Sequence, residues 1–238
     1  MRVLVVSDIH GNWPALEAVA REPHDAVICL GDIVGYGPDP AACVQWVAVH
    51  GTCVVQGNHD RANAEHVPSR CRPEFEWLAE AVAPVTAERL SDEERTFLSD
   101  LPHWGFQELD GRRIACVHAR PSDPLYGYLP PDPATWAHEV EGIHADLMLV
   151  GHTHVPLDLA IGRRRVINPG SVGQPKDGDS RASYVVLHDG RPEFKRVAYP
   201  VERTVGALAR SGIGAEATAA LGELLRTGSP ASELAHSM

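Results

Sequence analysis

The chain has 238 residues, of which 44% are hydrophobic and 22% charged, a composition that supports a packed core and excludes a disordered or fibrous protein. Its formal net charge of −11 argues against a protein that coats nucleic acid or an anionic membrane. No run approaches the ~20 apolar residues of a membrane span and no signal peptide precedes the first strand, so a cytoplasmic location is expected.

The first half of the chain alternates strand-like and helix-like segments. Strands are predicted at 2–7, 25–30 and 52–56, and helices at 12–21, 40–49 and within 74–99. Asn12 is the predicted N-cap of the first helix, and Ser91 with Glu94 has the spacing of a capping box. This βαβαβ order predicts a parallel sheet with helical crossovers.

The second half is rich in hairpins. Asp-Gly turns divide the strand-like segments "WGFQELDGRRIACVH" and "YVVLHDGRPEFKRVAY", and a third hairpin is predicted around Gly162. A helix at 132–142, a strand at 146–150 and helices at 202–210 and 214–226 complete the pattern. We therefore expect an α/β (α+β) fold with two facing mixed sheets flanked by helices. One domain is expected over residues 1–228, followed by a frayed tail at 229–238.

The cysteines and one basic run have structural interpretations. The five cysteines are odd in number and include no Cys-x-x-Cys pair, so buried reduced thiols are expected rather than disulfides or a zinc knuckle. The run Arg163-Arg164-Arg165 follows Gly162 and is expected in an exposed hairpin turn rather than in a substrate site.

Five predicted strands end in side chains that commonly bind metals. The first strand is followed by Asp8 and His10, the second by Asp32 and the third by Asn58. The strand at 112–117 is followed by His118, and the strand at 146–150 by His152 and His154. Any one of these residues alone is more often structural. Because sites in open α/β sheets form beyond the carboxyl ends of the strands, their joint occurrence predicts convergence at one centre.

The number of ligands indicates how many ions this centre holds. Seven nitrogen and oxygen ligands suit two ions of four ligands each, provided that one carboxylate is shared. The mixture of imidazole, carboxylate and amide, without thiolate, favours manganese, with iron, zinc, cobalt or nickel as alternatives.

These motifs resemble the calcineurin-like metallophosphoesterase superfamily. They read Asp8-Ile9-His10, Gly31-Asp32, Gly57-Asn58-His59-Asp60, His118 and Gly151-His152-Thr153-His154. The segment "NPGSVGQP" at 168–175 extends the resemblance to the compact bacterial and archaeal phosphodiesterase branch. The resemblance implies a four-layer αββα sandwich and hydrolysis of phosphate esters by in-line attack of a metal-bridging hydroxide.

The resemblance also implies a role for each motif residue. One ion would be bound by Asp8, His10 and His154, and the other by Asn58, His118 and His152, with Asp32 bridging them. His59 would stabilise or protonate the leaving oxygen. Asp60 would orient His59 or a residue that binds metal.

The chain departs from the superfamily's protein phosphatases and diadenosine tetraphosphatases. Their phosphate-binding arginines are missing, and Tyr36 and Gln56 lie at or near those positions, which disfavours a protein phosphatase. Arg61 and Arg120 each follow a motif and either bind substrate or are solvated. Tyr36 either packs against the substrate or belongs to a turn, whereas a turn role is favoured for Ser171.

A phosphodiesterase is therefore the expected function, with a phosphomonoesterase or nucleotidase as the alternative. The superfamily also includes a retromer subunit that serves as a protein-binding scaffold after losing its catalytic histidine. The presence of His59 favours an enzyme here. The expected partner is a small phosphate ester, with nucleotides among the candidates, and neither stable nucleic-acid binding nor membrane binding is expected. The sequence does not predict the oligomeric state.

Overall fold

The structure, a computed structural model, describes residues 1–230, which contain two five-stranded sheets and eight helices. The strands are β1 (Arg2–Val6), β2 (Ala26–Cys29), β3 (Gly51–Val54), β4 (Trp104–Leu109), β5 (Arg112–Val117), β6 (Leu147–Leu149), β7 (Leu157–Ile161), β8 (Arg164–Asn168), β9 (Ala182–His188) and β10 (Arg191–Val197). The helices are α1 (Trp13–Val19), α2 (Pro40–His50), α3 (Asn58–Glu65), α4 (Pro73–Arg89), α5 (Asp92–Asp100), α6 (Pro133–Glu139), α7 (Val201–Ala209) and α8 (Ala215–Thr227).

Both sheets are mixed, with three adjacent parallel strands in each, and the antiparallel strands lie on one side of them in the first sheet and on both sides in the second. The first has the strand order β10-β9-β1-β2-β3, in which β1, β2 and β3 are parallel. The second has the order β4-β5-β6-β8-β7, in which β5, β6 and β8 are parallel. The predicted fold class is confirmed, because the chain forms an α/β fold of two mixed sheets flanked by helices.

Alternating side chains of the central strands fill the space between the sheets and the space beneath the helices. Val3 and Val5 of β1 pack with Leu147 and Leu149 of β6 in the core between the sheets. Leu4 on the opposite face of β1 belongs to the core beneath α1 and α2. On the outer face of the second sheet, α6 contributes to a further apolar cluster. The two-residue periodicity of a strand thus builds both cores from one segment.

The predicted turns and caps are confirmed. Asp110 and Gly111, like Asp189 and Gly190, have positive φ angles, as a two-residue hairpin turn requires. The Asn12 side chain accepts a hydrogen bond from the Ala15 amide at the start of α1. Ser91 and Glu94 form the capping box of α5. The third hairpin joins β7 and β8, and the five cysteines are free thiols.

One helix was not predicted. α3 begins directly at Asn58, where the sequence indicated only ligands, and its residues Asn58–Glu65 read "NHDRANAE". This segment has no apolar stripe, which is the main sequence signal of an amphipathic helix. Its buried residues are polar instead: Asn58, His59, Asp60 and Asn63.

The C-terminal helices form as predicted and extend the structure beyond the central sandwich. Leu208 of α7 and Leu221 and Leu224 of α8 share an apolar cluster with Leu78 of α4. Residues 231–238 of the predicted frayed tail lie outside the described residues. Within residues 1–230, every helix lacks the length and apolar character needed to cross a bilayer.

Candidate metal centre

Residues from both sheets meet in one buried cluster beyond the strand ends. Asp8 and Asp32 follow β1 and β2 of the first sheet, whereas His118 and His152 follow β5 and β6 of the second. The seven predicted ligands are each at most 4% exposed. The backbones approach closely here, since a side chain at Gly57 would collide with Asp32. The predicted convergence is therefore present in the fold.

The first group contains Asp8, His10 and His154, whose candidate ligand atoms lie within 4.8 Å of one another. The Nε2 atoms of His10 and His154 are 3.0 Å apart. Asp8 Oδ1 lies 3.4 Å from His154 Nε2 and 3.9 Å from His10 Nε2. These atoms surround a space suited to one cation.

The second group contains Asp32, His118 and His152, whose candidate ligand atoms also lie within 4.8 Å of one another. His118 Nε2 is 3.2 Å from His152 Nδ1 and 3.1 Å from Asn58 Oδ1. Asp32 Oδ2 lies 3.4 Å from His118 Nε2 and 3.7 Å from His10 Nε2 of the first group. Asp32 therefore reaches both groups.

Backbone carbonyls orient three of the imidazoles. Nδ1 of His10 faces the Val34 oxygen at 3.2 Å, and Nδ1 of His118 faces the Leu30 oxygen at 2.7 Å. Nδ1 of His154 lies 2.6 Å from the Gln174 oxygen. Because a carbonyl only accepts, each Nδ1 must carry the hydrogen. In its neutral form each ring then presents the lone pair of Nε2, as metal binding requires.

The hydrogen bonding of this cluster is incomplete without cations. Two lone pairs face each other where Nε2 of His10 meets Nε2 of His154, and Asp8 Oδ1 is buried without a hydrogen-bond partner among the described residues. Unpartnered buried acceptors are costly, and a cation between them would remove that cost. The two groups of residues fit a dinuclear metal centre.

The backbone is left-handed at five of the seven ligand residues. The φ angles are 53° at Asp8, 49° at His10, 54° at Asp32, 67° at His152 and 60° at His154. Residues other than glycine seldom adopt this region, although aspartate and histidine do so more often than most. Strained residues cluster at functional sites, so the backbone conformation independently supports a functional site here.

Asp32 is the main negative charge of the cluster. Burial raises the pKa of Asp8 to about 7, with His118 opposing the rise. Burial alone would also raise the pKa of Asp32, but His118 and His59 hold it well below its usual range. Burial lowers the pKa of His118, yet the Asp32 carboxylate overcomes this and raises it to about 9. Cations would replace the protons that these groups hold.

His59 borders the cluster without joining either group. Its ring packs edge-on against His10, with centroids 5.1 Å apart, and is tilted against Tyr36 at 4.6 Å. Burial lowers the pKa of His59 to about 4, so the ring is neutral at pH 7. A neutral imidazole still carries one N–H that can donate a hydrogen bond.

Asp60 binds backbone amides rather than the His59 ring. Its Oδ1 accepts hydrogen bonds from the Ile33 and Val34 amides at 2.8 and 3.2 Å, and its Oδ2 accepts from the Gly57 amide at 3.0 Å. These contacts join the loop after Asp32 to the start of α3. Asp60 is therefore placed to support Asp32.

Two of the four predicted substrate-binding residues lie beside the cluster. Tyr36 is buried, and its hydroxyl donates to Cys71 Sγ at 3.4 Å. The Ser171 hydroxyl donates to the Asp8 backbone oxygen and accepts from the Gln174 amide, both at 2.7 Å. Ser171 thus stabilises the loop that carries Asp8, in agreement with the turn role favoured for it.

The two arginines are engaged with carboxylates. Arg61 pairs with Glu65 at 3.0 Å on the surface of α3 and donates to the Tyr126 hydroxyl at 3.3 Å. Arg120 pairs with Glu139 of α6 at 3.5 Å. Gln56 is occupied as well, because its amide donates to the Leu98 oxygen. These contacts give the solvated or structural alternative more support than phosphate binding.

Two neighbours of the cluster were not predicted. Lys176 and Tyr128 both line the small cavity that Asp32, His59 and His152 enclose. The Tyr128 ring lies 4.1 Å from that of His152. Lys176 directly follows "NPGSVGQP", so its position in the sequence could have indicated it. Tyr128 lies in an irregular segment between β5 and α6, where no sequence pattern indicates a site.

Comparison with known proteins identifies a family and relatives of this chain. A model of the calcineurin-like phosphoesterase superfamily domain matches residues 1–190. The uncharacterized protein MJ0912 of Methanocaldococcus jannaschii is 33% identical over 84% of this chain and 89% of its own. The phosphodiesterase YfcE of Escherichia coli is 26% identical over 79% of this chain and 87% of its own.

A solved structure also resembles the whole chain. The crystal structure of a metallophosphoesterase from Sphaerobacter thermophilus is 32% identical in sequence, with a TM-score of 0.82. The alignment covers 96% of this chain and 99% of that one. The similarity therefore includes the C-terminal helices as well as the sandwich.

Proposed function

Because this chain belongs to the calcineurin-like phosphoesterase superfamily, we propose that it is a metal-dependent phosphodiesterase that uses two divalent ions. The observation that carries the proposal is the pair of buried ligand groups, Asp8 with His10 and His154, and Asp32 with His118 and His152. Manganese is the proposed metal, since imidazole and carboxylate ligands without thiolate suit it.

Asp32 and Asn58 have different roles in holding the two ions. When bound, two divalent ions supply Lewis-acid polarisation of the phosphoryl group and activate the attacking water. Asp32 lies between the two groups and provides negative charge to both. Asn58 completes the second group, because its Oδ1 faces His118 while its side-chain amide is anchored to the Ser69 oxygen at 2.9 Å.

His59 is proposed to donate a hydrogen bond or a proton to the leaving oxygen of the substrate. It lies beside the cluster, and its remaining N–H can donate to the oxygen that departs. A bound phosphate anion would also counter the burial that lowers its pKa, so that the ring could deliver a proton. Asp60 keeps the loop after Asp32 and the start of α3 in register, which holds His59 beside Asp32.

Two observations support a diester rather than a monoester. Arg61 and Arg120 pair with the carboxylates of Glu65 and Glu139, which offset their positive charges, so they contribute less to neutralising the second charge of a monoester. A diester carries only one negative charge. Similarity to a protein named as a phosphodiesterase points in the same direction.

Turnover of matched chromogenic esters tests the proposal. With manganese added, bis(p-nitrophenyl) phosphate should give a higher kcat/KM than p-nitrophenyl phosphate, which releases the same leaving group. His10→Ala should abolish turnover, and His188→Ala, which replaces an exposed histidine, should retain it. Faster turnover of the monoester would assign a phosphomonoesterase instead. Inactivity on both esters with metal bound would refute an enzyme.

A further inference from the structure

The metal cluster borders a cleft that the reaction itself does not require. The cleft has a volume of about 670 Å³, which is the size of a small-molecule site. Its apolar and aromatic wall is formed by Phe75, Tyr128, Leu129, Trp136, Val155 and Leu157. Such a wall favours an organic group over water.

The cleft adjoins the small cavity at the metal cluster. His152, Lys176, Tyr128 and Phe75 line both the cleft and the small cavity that Asp32 and His59 enclose. A phosphoryl group at the metal cluster would therefore direct one of its substituents toward the cleft. A water molecule or a short alkyl group would leave most of this wall uncovered.

Lys176 lies at the junction between the two spaces. Its Nζ rests 3.8 Å from the centroid of the Phe75 ring and 5.9 Å from that of Tyr36. Within residues 1–230, the ammonium thus contacts aromatic faces rather than forming a close ion pair. Such contacts stabilise the cation without neutralising it. Lys176 therefore remains available to an anion at the metal cluster.

We propose that the cleft binds an apolar or aromatic ester group of the substrate while Lys176 binds the phosphoryl oxygens. The substrates would then be small organic phosphate esters with one bulky substituent. This inference rests on the proposed function, because it assumes that the phosphoryl group binds at the metal cluster.

Calorimetry with two phosphonates tests the inference without turnover. Methylphosphonate and phenylphosphonate carry the same anionic group and a single organic substituent, so the substituent alone separates their affinities. Manganese-loaded protein should bind phenylphosphonate at least about tenfold more tightly, because the apolar wall removes far more apolar surface of a phenyl ring than of a methyl group from water.

Variants separate the two parts of the inference. Lys176→Gln should weaken both phosphonates by a similar factor, roughly tenfold, because it removes a charge that serves the common group. Val155→Trp should reduce the preference for phenylphosphonate to below about threefold by filling the cleft, and Leu129→Trp should do so from another position on the wall. Val155 is 42% exposed, so Val49→Trp, at a residue that is 77% exposed and outside the cleft, is the matched control and should change neither affinity.

Three results would overturn the inference. These are equal affinities for the two phosphonates, no measurable binding of either by metal-loaded protein, and unchanged affinities in Lys176→Gln. If such results occur while the nitrophenyl esters are still hydrolysed, only the binding roles of the cleft and Lys176 are refuted. Absence of turnover with metal bound would instead refute the proposed function. Metal content, measured for each variant, excludes a loss of ions as the cause.

Discussion

Asp32→Asn should weaken metal binding at both groups, whereas His10→Ala should mainly weaken one. Asp32 Oδ2 lies 3.4 Å from His118 Nε2 in one group and 3.7 Å from His10 Nε2 in the other. Asparagine preserves the size and one oxygen of the side chain but removes its charge. The substitution thus tests whether that charge serves both ions.

Coulomb's law sets the scale of the effect, with about 4 Å as an upper limit for the separation between the Asp32 carboxylate and an ion held beside it. Unit charges about 4 Å apart interact by roughly 4 kcal/mol at an effective dielectric constant near 20, and an ion of charge two doubles this. Asparagine retains part of the attraction through its dipole. If only about 1.4 kcal/mol is lost at each ion, each Kd rises tenfold. We therefore expect at least about tenfold weaker binding of both ions.

Titration calorimetry and metal analysis after dialysis measure this effect. Asp32→Asn should lose occupancy at both sites together, and His10→Ala should retain one tightly bound ion. Asp189→Asn, which neutralises an exposed carboxylate, should bind two ions like the unmodified protein. Full occupancy by two ions in Asp32→Asn, with unchanged affinities, would refute the bridging role.

Chelation should lower Tm by roughly 10–20 °C when the reference sample holds both ions at a hundredfold excess over Kd. Each ion then contributes about 2.7 kcal/mol to the free energy of unfolding, and 1 kcal/mol shifts Tm by about 2–4 °C in a domain of this size. Scanning calorimetry measures the change, and an unchanged Tm would contradict a preformed centre. His59→Ala should retain both ions yet lose about 10²–10⁴ in rate, with smaller losses for a nitrophenyl than for an alkyl leaving group. Equal losses for the two esters would exclude proton donation. Metal affinity should rise from pH 6 to pH 8, because the ions displace protons from Asp8, with a pKa of about 7, and His118, with a pKa of about 9. Affinity independent of pH would contradict those shifts.

The ligands were predictable because each follows a strand whose apolar pattern is easily recognised. Once β1 and β2 are parallel neighbours, Asp8 and Asp32 must lie at the same end of the sheet. The hairpin pattern predicted two facing sheets, but it could not show that β5 and β6 belong to the second one, which is what brings His118 to Asn58. The superfamily resemblance supplied that step.

The surroundings of the centre were less predictable because they depend on packing between distant segments. Arg120 pairs with Glu139, which lies on a helix 19 positions further along the chain. Tyr128 reaches His152 from a segment without regular structure. Periodicity carries no information about such contacts, whereas it does predict the strands and most helices.

The left-handed backbone at Asp8, His10, Asp32, His152 and His154 has an evolutionary consequence. Each such residue costs roughly 1 kcal/mol, so together they withhold several kcal/mol from a domain whose whole stability is about 5–15 kcal/mol. Folding alone would favour glycine at these positions, since glycine has no side chain to strain. Selection for metal binding therefore opposes selection for stability at these residues. A descendant that no longer needed its ions would become more stable by replacing these five residues with glycine.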